Sequence, residues 1–337
     1  MAKVYGDKDA DLRVLRGKTV AIIGYGSQGH AHAQNLRDSG VKVIVAELKG
    51  TFNYRKAVAD GFKPVSASAA TKKADILMIL LPDQAQAAVY RKEIAPNLRA
   101  GQALGFAHGF NIRFKQIVPP RDVDVFMVAP KGPGHKVREE YTKGSGTPNL
   151  IAVHQDPSKK TKKIALAYSK ALGGTRAGVL ETTFKEETET DLFGEQVILC
   201  GGISALCMTA FEVLTEAGYQ PEVAYYEVCH EMKLIIDMII EGGISWMRYS
   251  VSDTAEYGDY TRGPRVVGPA AKREMKKILG EITSGKFAKE WIGECRTGAK
   301  KFKALRKKGR SHPIEKIGPK LRSMMKWMKA KSVPKGA

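Results

Sequence analysis

Short apolar runs alternate with amphipathic stretches through the first half of the chain. The runs have the length of buried strands, and they occupy residues 18–23, 41–46, 74–81, 102–107, 123–129, 149–153 and 175–180. Between the last two runs, residues 159–172 follow the period of a helix. Strands that alternate with helices form a parallel sheet with helices on both faces. The first half is therefore predicted to be an α/β domain with a doubly wound parallel sheet.

The pattern changes near Thr182, where strand signals end and long helical periods begin. Predicted helices occupy residues 190–214, 221–241, 269–280, 284–308 and 314–331. We expect one domain over residues 1–182, an all-helical domain over residues 183–328, and a basic tail over residues 329–337. The polar segment 249–258, between the second and third helices, is too polar for a core.

A glycine-rich turn follows the first predicted strand, with the sequence Gly24-Tyr25-Gly26-Ser27-Gln28-Gly29. A helical pattern comes next, and then a second strand that ends before Glu47. In this setting the turn is typical of a Rossmann dinucleotide site, because glycines let the backbone approach a pyrophosphate. The N-terminus of the following helix offers N–H groups to the same anion. A glycine turn without a ligand is the minor alternative.

Glu47 and the loop after it predict which nicotinamide cofactor is used. An acid that closes the second strand hydrogen-bonds the ribose hydroxyls of NAD and repels the 2′-phosphate of NADP. The loop has one cation and no arginine; its residues are Leu48, Lys49, Gly50, Thr51, Phe52 and Asn53. Lys49 and Thr51 leave partial use of NADPH open. We expect NADH to be preferred.

Polar residues also follow later strands, at Asp83, His108 and Lys131. Ligands of such sheets bind beyond the carboxyl ends of the strands. A single histidine or lysine in a loop is usually only solvated. Two of them after successive strands, on the expected cofactor rim, favour a functional role.

Two pairs of carboxylates in the second half are spaced four residues apart, Asp191 with Glu195 and Glu227 with Glu231. Residues at this spacing share one face of a helix. Glu227 and Glu231 fall in the same arc as apolar neighbours, and Asp191 and Glu195 precede the apolar run 197–214. Carboxylates beside apolar surface need a cation, and oxygen ligands suit Mg²⁺. Ordinary surface charge is the alternative for a single pair, but two pairs favour a metal site.

Composition and charge limit the remaining classes of function. The chain has 337 residues, 43% of them hydrophobic, and a formal net charge of +20. That charge suits an anionic substrate or a nucleic acid, but much of it lies in residues 300–335 without interleaved aromatic residues. We expect no nucleic-acid or membrane partner, and we interpret the apolar run 197–214 as a core helix. The four cysteines lack zinc spacing, and the N-terminus lacks a signal peptide, which indicates a cytoplasmic protein.

With these motifs in place, the chain resembles the ketol-acid reductoisomerases in their short bacterial and archaeal form. The resemblance runs essentially end to end. It is carried by the segments Gly24–Ala31, Gly105–Phe110, Ala129–Gly134, Glu189–Gln196, Cys229–Leu234 and Ser252–Gly258.

The resemblance implies a reaction and a set of site residues. The family converts 2-acetolactate or 2-aceto-2-hydroxybutyrate, which are 2-hydroxy-2-alkyl-3-oxo acids, to 2,3-dihydroxy acids in valine and isoleucine synthesis. It implies that Asp191, Glu195, Glu227 and Glu231 hold two Mg²⁺ ions, that His108 and Lys131 lie in the active site, and that Ser252 contacts substrate. Glu231 is our candidate for the catalytic base. The expected cofactor contacts are Gly24, Tyr25, Gly26, Ser27, Gln28, Gly29, Glu47, Leu48, Lys49, Thr51, Asn53, Asp83, Gln86 and Gly134.

The resemblance also implies an assembly, and the family's usual cofactor differs from the one that the loop after the second strand predicts. The helical domain is expected to be knotted, with two chains interlocked in a homodimer or a larger assembly. Glu227, Glu231 and Ser252 would then reach the partner's site. The family mostly uses NADPH, with an arginine and serines in the loop where this chain has Leu48, Thr51 and Asn53 beside Glu47.

Two other functions fit part of the sequence. One is a metal-free NAD-dependent hydroxy-acid dehydrogenase with Lys131 as its acid–base residue, but it leaves the four carboxylates unexplained. The other is a nicotinamide-sensing DNA-binding regulator, favoured only by the charge of +20, since no helix-turn-helix pattern is present.

Overall fold

A computed structural model describes residues 3–327. The predicted basic tail, residues 329–337, lies outside the described residues. The chain divides into two compact units after Thr190.

The first unit is built on one eight-stranded sheet. Its strands are β1 (Val4–Tyr5), β2 (Thr19–Ile23), β3 (Lys42–Ala46), β4 (Ile76–Ile79), β5 (Ala103–Phe106), β6 (Asp124–Pro130), β7 (Asn149–Gln155) and β8 (Val179–Glu181). Their order across the sheet is β1-β8-β7-β6-β5-β4-β2-β3. Five adjacent strands are parallel to one another: β6, β5, β4, β2 and β3. The predicted Rossmann-type α/β fold is confirmed.

The other end of the sheet differs from the prediction of a uniformly parallel sheet. β7 pairs with β6 in the antiparallel direction, with a bulge between Val125 and Phe126, and β1 is antiparallel to β8. The apolar pattern of a strand reports its burial and not its direction, so the sequence could not distinguish these cases. The predicted strand 175–180 is a short helix followed by β8, and Gly178 joins them at a φ of +106°.

Helices cover both faces of the sheet. They are α1 (Ser27–Asp38), α2 (Phe52–Ala59), α3 (Ala67–Lys73), α4 (Asp83–Val89), α5 (Phe110–Arg113), α6 (Gly134–Thr142), α7 (Thr161–Ala171) and α8 (Gly174–Ala177). Every residue of β2, β4, β5 and β6 is buried. Two apolar clusters lie on opposite faces, as expected for a sheet whose strands are continuously apolar.

The second unit is helical, as predicted. Its helices are α9 (Phe184–Gly194, which begins in the first unit), α10 (Gly201–Glu216), α11 (Pro221–Tyr225), α12 (Met232–Ser250), α13 (Asp253–Val266), α14 (Pro269–Thr283), α15 (Lys286–Arg296), α16 (Lys300–Arg310) and α17 (Pro313–Met324). Two π-helical turns, Glu195–Leu199 and Tyr226–His230, interrupt what the sequence predicted as continuous helices. The predicted helix 284–308 is also broken, because Gly298 takes a φ of +86° after α15.

The second unit has a small core within one chain. The cluster contains Phe211 from α10, Ala224 and Tyr225 from α11, and Ile314 and Leu321 from α17. Arg322 donates a hydrogen bond to the Tyr225 hydroxyl at 2.8 Å, which ties α17 to α11.

The apolar run 197–214 does not form the predicted core helix within one chain. Ile198, Leu199, Leu206 and Val213 are 47–65% exposed. The continuous helical stretch Phe184–Glu216 contains an 18-residue window with a mean hydropathy of 2.0. Only 17% of that window is buried. By length and composition it could cross a membrane, but an interface helix meets the same two criteria. Among residues 3–327, no element of the chain covers this surface fully.

Candidate active site

The glycine-rich turn has the geometry of a pyrophosphate cradle. Gly24 takes a φ of +99° and donates its N–H to the Ala46 carbonyl at 2.9 Å, which fixes the turn between β2 and β3. A Cβ on Gly29 would lie 2.0 Å from the Gly24 carbonyl oxygen, so the packing of α1 against the turn requires glycine there. A Cβ on Gly26 would meet nothing within 4 Å, so this face of the turn is open. α1 begins directly after Gly26, and the first N–H groups of a helix have no partner within the helix.

The side chain of Tyr25 belongs to the core, although the sequence assigned this residue to the cofactor. Its ring is fully buried against Phe62, and its hydroxyl donates to Asp60 at 2.8 Å. Burial and this carboxylate raise the pKa of the Tyr25 hydroxyl. Tyr25 therefore acts on the turn through its backbone, because its side chain does not reach the open face.

Glu47 holds the turn from the end of β3. Its Oε2 accepts the Tyr25 N–H at 2.7 Å, and its Oε1 accepts the Leu48 N–H at 2.9 Å. The carboxylate borders a cavity of about 410 Å³. The walls of this cavity are mostly apolar and include Ile23, Ala46, Leu48, Lys49, Tyr54, Val65, Leu81 and Val89. An apolar slot with an acid at its mouth suits an adenosine group, whose flat base is buried and whose ribose is hydrogen-bonded.

A second loop braces the glycine turn. Gln28 donates to the Gly132 carbonyl at 2.9 Å, and the Ser27 hydroxyl accepts the Gly134 N–H at 3.2 Å. A Cβ on Gly134 would lie 1.6 Å from the Ser27 carbonyl oxygen. Three residues predicted to contact the cofactor, Ser27, Gln28 and Gly134, therefore hold the two loops together at van der Waals distance.

A second cation, which the sequence analysis missed, contacts the loop after β3 from the helix that follows it. Arg55 lies in the first turn of α2, and its guanidinium donates to the Gly50 carbonyl at 2.9 Å. Thr51 caps α2: its hydroxyl donates to the Leu48 carbonyl at 2.9 Å and accepts the Tyr54 N–H at 3.0 Å. Arg55 lies two residues after Asn53, the last residue of this loop that the sequence predicted to contact the cofactor. The spacing from a threonine N-cap would have placed Arg55 beside the loop.

Asp83, Gln86 and His108 form one polar cluster where β4 and β5 end. The His108 Nδ1 lies 3.1 Å from an Asp83 carboxylate oxygen, a contact that fixes the orientation of the imidazole. Asn111 is buried and donates to the Asp83 carbonyl at 3.0 Å and to the Gln86 side-chain oxygen at 3.1 Å. The sequence analysis did not select Asn111, although it follows His108 by three residues. Asp83 and Gln86 thus position His108 in this structure.

Lys131 is held by a buried carboxylate that the sequence analysis also missed. Its ammonium lies 2.9 Å from Glu187, whose side chain is 1% exposed. The other oxygen of Glu187 accepts the Gly109 N–H at 3.4 Å, so this carboxylate joins the Lys131 loop to the His108 loop. Glu187 precedes Asp191 by four residues in the same helix, and it extends the spacing that identified Asp191 and Glu195. That repeat was the available signal.

The four predicted metal ligands are not gathered in one chain. Among the residues from 3 to 327, no three histidine, cysteine, aspartate or glutamate side chains are close enough together to hold a metal ion. Glu227 and Glu231 are exposed and line an apolar cavity of about 430 Å³ with Leu206, Cys207, Ala210, Val228, Met232 and Ile235. Asp191 is half-buried and Glu195 is exposed. Each pair offers hard oxygen ligands of the kind that suit Mg²⁺. The carboxylates therefore fit this ion, with each pair supplying part of a complete set of ligands.

Ser252 begins a helix in the polar segment 249–258, for which the sequence predicted no element. Its hydroxyl accepts the Ala255 N–H at 3.3 Å, as the N-cap of α13, and the residue is exposed. The hydroxyl hydrogen is not used by this bond and is available to a ligand.

Comparison with known families identifies the chain. Residues 14–178 match the family model described as acetohydroxy acid isomeroreductase, NADPH-binding domain, and residues 184–327 match ketol-acid reductoisomerase, C-terminal domain. The chain belongs to the ketol-acid reductoisomerase family. It is therefore an NAD(P)-dependent oxidoreductase, and the resemblance inferred from its motifs is confirmed.

Solved structures agree with this assignment. The chain is similar to an NADH-preferring ketol-acid reductoisomerase from an uncultured archean, with 48% identity, a TM-score of 0.94, and coverage of 96% of this chain and 99% of the other. It shares its fold with a semialdehyde dehydrogenase NAD-binding protein from Cupriavidus necator at 19% identity and a TM-score of 0.60, over 79% of this chain and 98% of that one. A 1-pyrroline-5-carboxylate reductase from Streptococcus pyogenes shares the fold at 12% identity and a TM-score of 0.51, over 79% and 98% of the two chains.

Proposed function

We propose that this ketol-acid reductoisomerase acts on 2-acetolactate and 2-aceto-2-hydroxybutyrate and depends on Mg²⁺. The products would be 2,3-dihydroxy-isovalerate and 2,3-dihydroxy-3-methylvalerate, in valine and isoleucine synthesis. The observation that carries the proposal is the contact of Lys131 with the buried Glu187, which also holds the backbone beside His108. This contact supports the proposal because it joins a cation to the loop of an oriented imidazole, and nicotinamide enzymes of this fold bind their substrates near such strand ends.

The proposed reaction has two steps on one carbon skeleton. The substrate C2 hydroxyl loses its proton, the alkyl group moves with its electron pair from C2 to the C3 carbonyl carbon, and a ketone forms at C2. The electron pair of the former C3 carbonyl bond moves to its oxygen, and this C3 alkoxide takes up a proton. A hydride from the nicotinamide then reduces that ketone, and the resulting alkoxide takes a proton. Asp191, Glu195, Glu227 and Glu231 would hold two Mg²⁺ ions, which when bound supply Lewis acidity toward the hydroxyl and carbonyl oxygens.

The chain's own residues have distinct tasks in this scheme. Glu231 accepts the proton of the C2 hydroxyl. Lys131, fixed by Glu187, offers an N–H donor and positive charge to the substrate oxygens. His108, oriented by Asp83, directs an imidazole nitrogen toward the reacting centre and moves a proton there. Ser252 donates its hydroxyl hydrogen to the substrate carboxylate.

The site is proposed to be shared between two chains of a homodimer or larger assembly. The support is the exposed apolar surface of α10 and α12, where Leu206, Leu234, Ile240 and Ile244 are 47–78% exposed. Apolar patches of this kind mark protein interfaces. The two separated carboxylate pairs point to the same assembly, because a second chain could bring a pair to each incomplete site. A partner chain covering Phe184–Glu216 also suits a cytoplasmic protein without a membrane or nucleic-acid partner.

NADH is proposed as the preferred cofactor because Glu47 places a negative charge at the mouth of the adenosine cavity. Lys49 and Arg55 near the loop would allow weaker use of NADPH. We expect kcat/KM to favour NADH by about tenfold or more, equivalent to ~1.4 kcal/mol. Steady-state kinetics with each cofactor measures this ratio, and Glu47→Gln should bring it closer to one. A strong preference of the unaltered protein for NADPH would refute the role given to Glu47.

The proposed function is tested by mixing the protein with 2-acetolactate and NADH and following the cofactor absorbance with and without Mg²⁺. We expect oxidation of NADH only when Mg²⁺ is present, and its complete loss in EDTA. Oxidation that persists in EDTA would favour the metal-free hydroxy-acid dehydrogenase. No oxidation of NADH or NADPH under either condition, with tight and steeply salt-dependent DNA binding, would favour the regulator.

A further inference from the structure

Each pair of predicted metal ligands is attached to a π-helical turn. In the first, the Cys200 N–H bonds to the Glu195 carbonyl, five residues earlier, at 3.0 Å. In the second, the Glu231 N–H bonds to the Tyr226 carbonyl at 3.1 Å. A π turn holds one residue more than an α-helical turn, and such turns occur often at functional sites. Glu195 and Glu231 therefore lie at the ends of turns whose register differs from that of a regular helix.

Two glycines make the first of these turns possible. A Cβ on Gly201 would lie 2.1 Å from the Gln196 carbonyl oxygen, and a Cβ on Gly202 would lie 2.0 Å from the Val197 carbonyl oxygen. Both carbonyls belong to the π turn Glu195–Leu199. Contacts this short with backbone atoms cannot be relieved by rotating a side chain. Any residue other than glycine must therefore displace the turn itself.

We propose that Gly201 and Gly202 are positioning residues for the carboxylates of Asp191 and Glu195. The inference rests on the proposed metal role of that pair. If the π turn closes into a regular α-helical turn, the helix before it rotates relative to α10 by about 100°, the angle of one residue. The side chains of Asp191 and Glu195 would then point in a different direction relative to α10. The glycine pair thus fixes the direction of two metal ligands without touching the metal.

The test compares Gly201→Ala and Gly202→Ala with two matched controls. In Gly194→Ala the new Cβ would lie 3.7 Å from the nearest atom, a Leu199 methyl, and in Gly280→Ala it would meet nothing within 4 Å. Mn²⁺ binding is measured by calorimetry on the full-length protein with NADH present and no substrate. We expect Mn²⁺ affinity to fall roughly ten- to hundred-fold in the two test variants, as when groups that orient metal ligands are changed. The controls should bind Mn²⁺ within twofold of the unaltered protein.

NADH binding and circular dichroism separate a change in position from loss of the fold. We expect the test variants to keep their helical signal and their affinity for NADH, since the nucleotide cavity lies in the first unit. If Gly201→Ala and Gly202→Ala each fold and each bind Mn²⁺ with unchanged affinity, the inference is overturned. Asp191→Asn tests the proposed function separately: if it leaves Mn²⁺ binding unchanged, the metal role of this pair fails.

Hydrogen exchange of the unaltered protein keeps the inference testable if both variants fail to fold. We expect Mn²⁺ to slow exchange of the Cys200 amide, because a held Glu195 carboxylate stabilises the π turn that this amide closes. If calorimetry shows that the protein binds Mn²⁺ but the Cys200 amide exchanges at the same rate with and without the ion, the positioning role of Gly201 and Gly202 is contradicted.

Discussion

Replacing Glu231 by glutamine is expected to abolish turnover while leaving cofactor binding intact. The amide cannot accept the proton of the substrate hydroxyl, and it lacks the negative charge of a metal ligand. The loss of a general base alone lowers kcat by about 10²- to 10⁴-fold, and the loss of a ligand adds to this. Both the alkyl migration and the reduction should fail. Kd for NADH should stay within twofold, because Glu231 lies in the second unit and the adenosine cavity in the first.

Glu241→Gln is the matched control for this variant. Glu241 is an exposed carboxylate on α12, the helix that follows Glu231, and it does not line the apolar cavity. The same change of charge to amide should leave kcat within about twofold, as expected for a surface site. Normal turnover in Glu231→Gln would remove Glu231 from the mechanism.

Two inactive variants are expected to restore activity when they are combined in one dimer. Lys131→Ala removes a residue of the first unit, and Glu231→Gln removes one of the second. If a site combines Lys131 of one chain with Glu231 of the partner, a mixed dimer holds one intact site and one site with both changes. Co-expression with two affinity tags isolates the mixed dimer, which should have about half the kcat of the unaltered dimer.

The homodimers of each variant, prepared with the same tags, are the controls and should be inactive. A mixed dimer without activity would mean that Lys131 and Glu231 act within the same chain. That result would contradict the shared site and leave the exposed apolar surface of α10 and α12 without a role in catalysis. Activity in either variant's homodimer would instead remove that residue from the active site.

Local rules were sufficient to predict the glycine turn and the position of Glu47 beside it. The turn at Gly24, Gly26 and Gly29 and the acid at Glu47 are set by backbone sterics and by one strand, so residues near in sequence determine them. The direction of β7 could not be predicted in this way, because its pairing with β6 depends on contacts distant in sequence. The burial of the Tyr25 side chain could not be predicted for a similar reason: its partner Asp60 is 35 positions away in the sequence, directly after α2.

The catalytic and metal-binding roles of the selected residues stay predictions, and the surroundings of these residues could not be read from the sequence. The pairs at Asp191 and Glu227 stand out by spacing, while the π turns beside them leave no mark in a pattern read at 3.6 residues per turn. Glu187 was missed because its ion pair with Lys131 spans 56 positions. The apolar run 197–214 was predicted to be core because its hydrophobicity indicates burial and not whether the covering atoms come from the same chain.

The carbon skeleton of the product shows whether the alkyl group migrates before reduction. The protein is incubated with 2-acetolactate, NADH and Mg²⁺, and the product is examined by nuclear magnetic resonance. The account predicts 2,3-dihydroxy-isovalerate, in which both methyl groups are on C3 because one has migrated. A product with one methyl on C2 and one on C3 would show reduction without migration and would contradict the account.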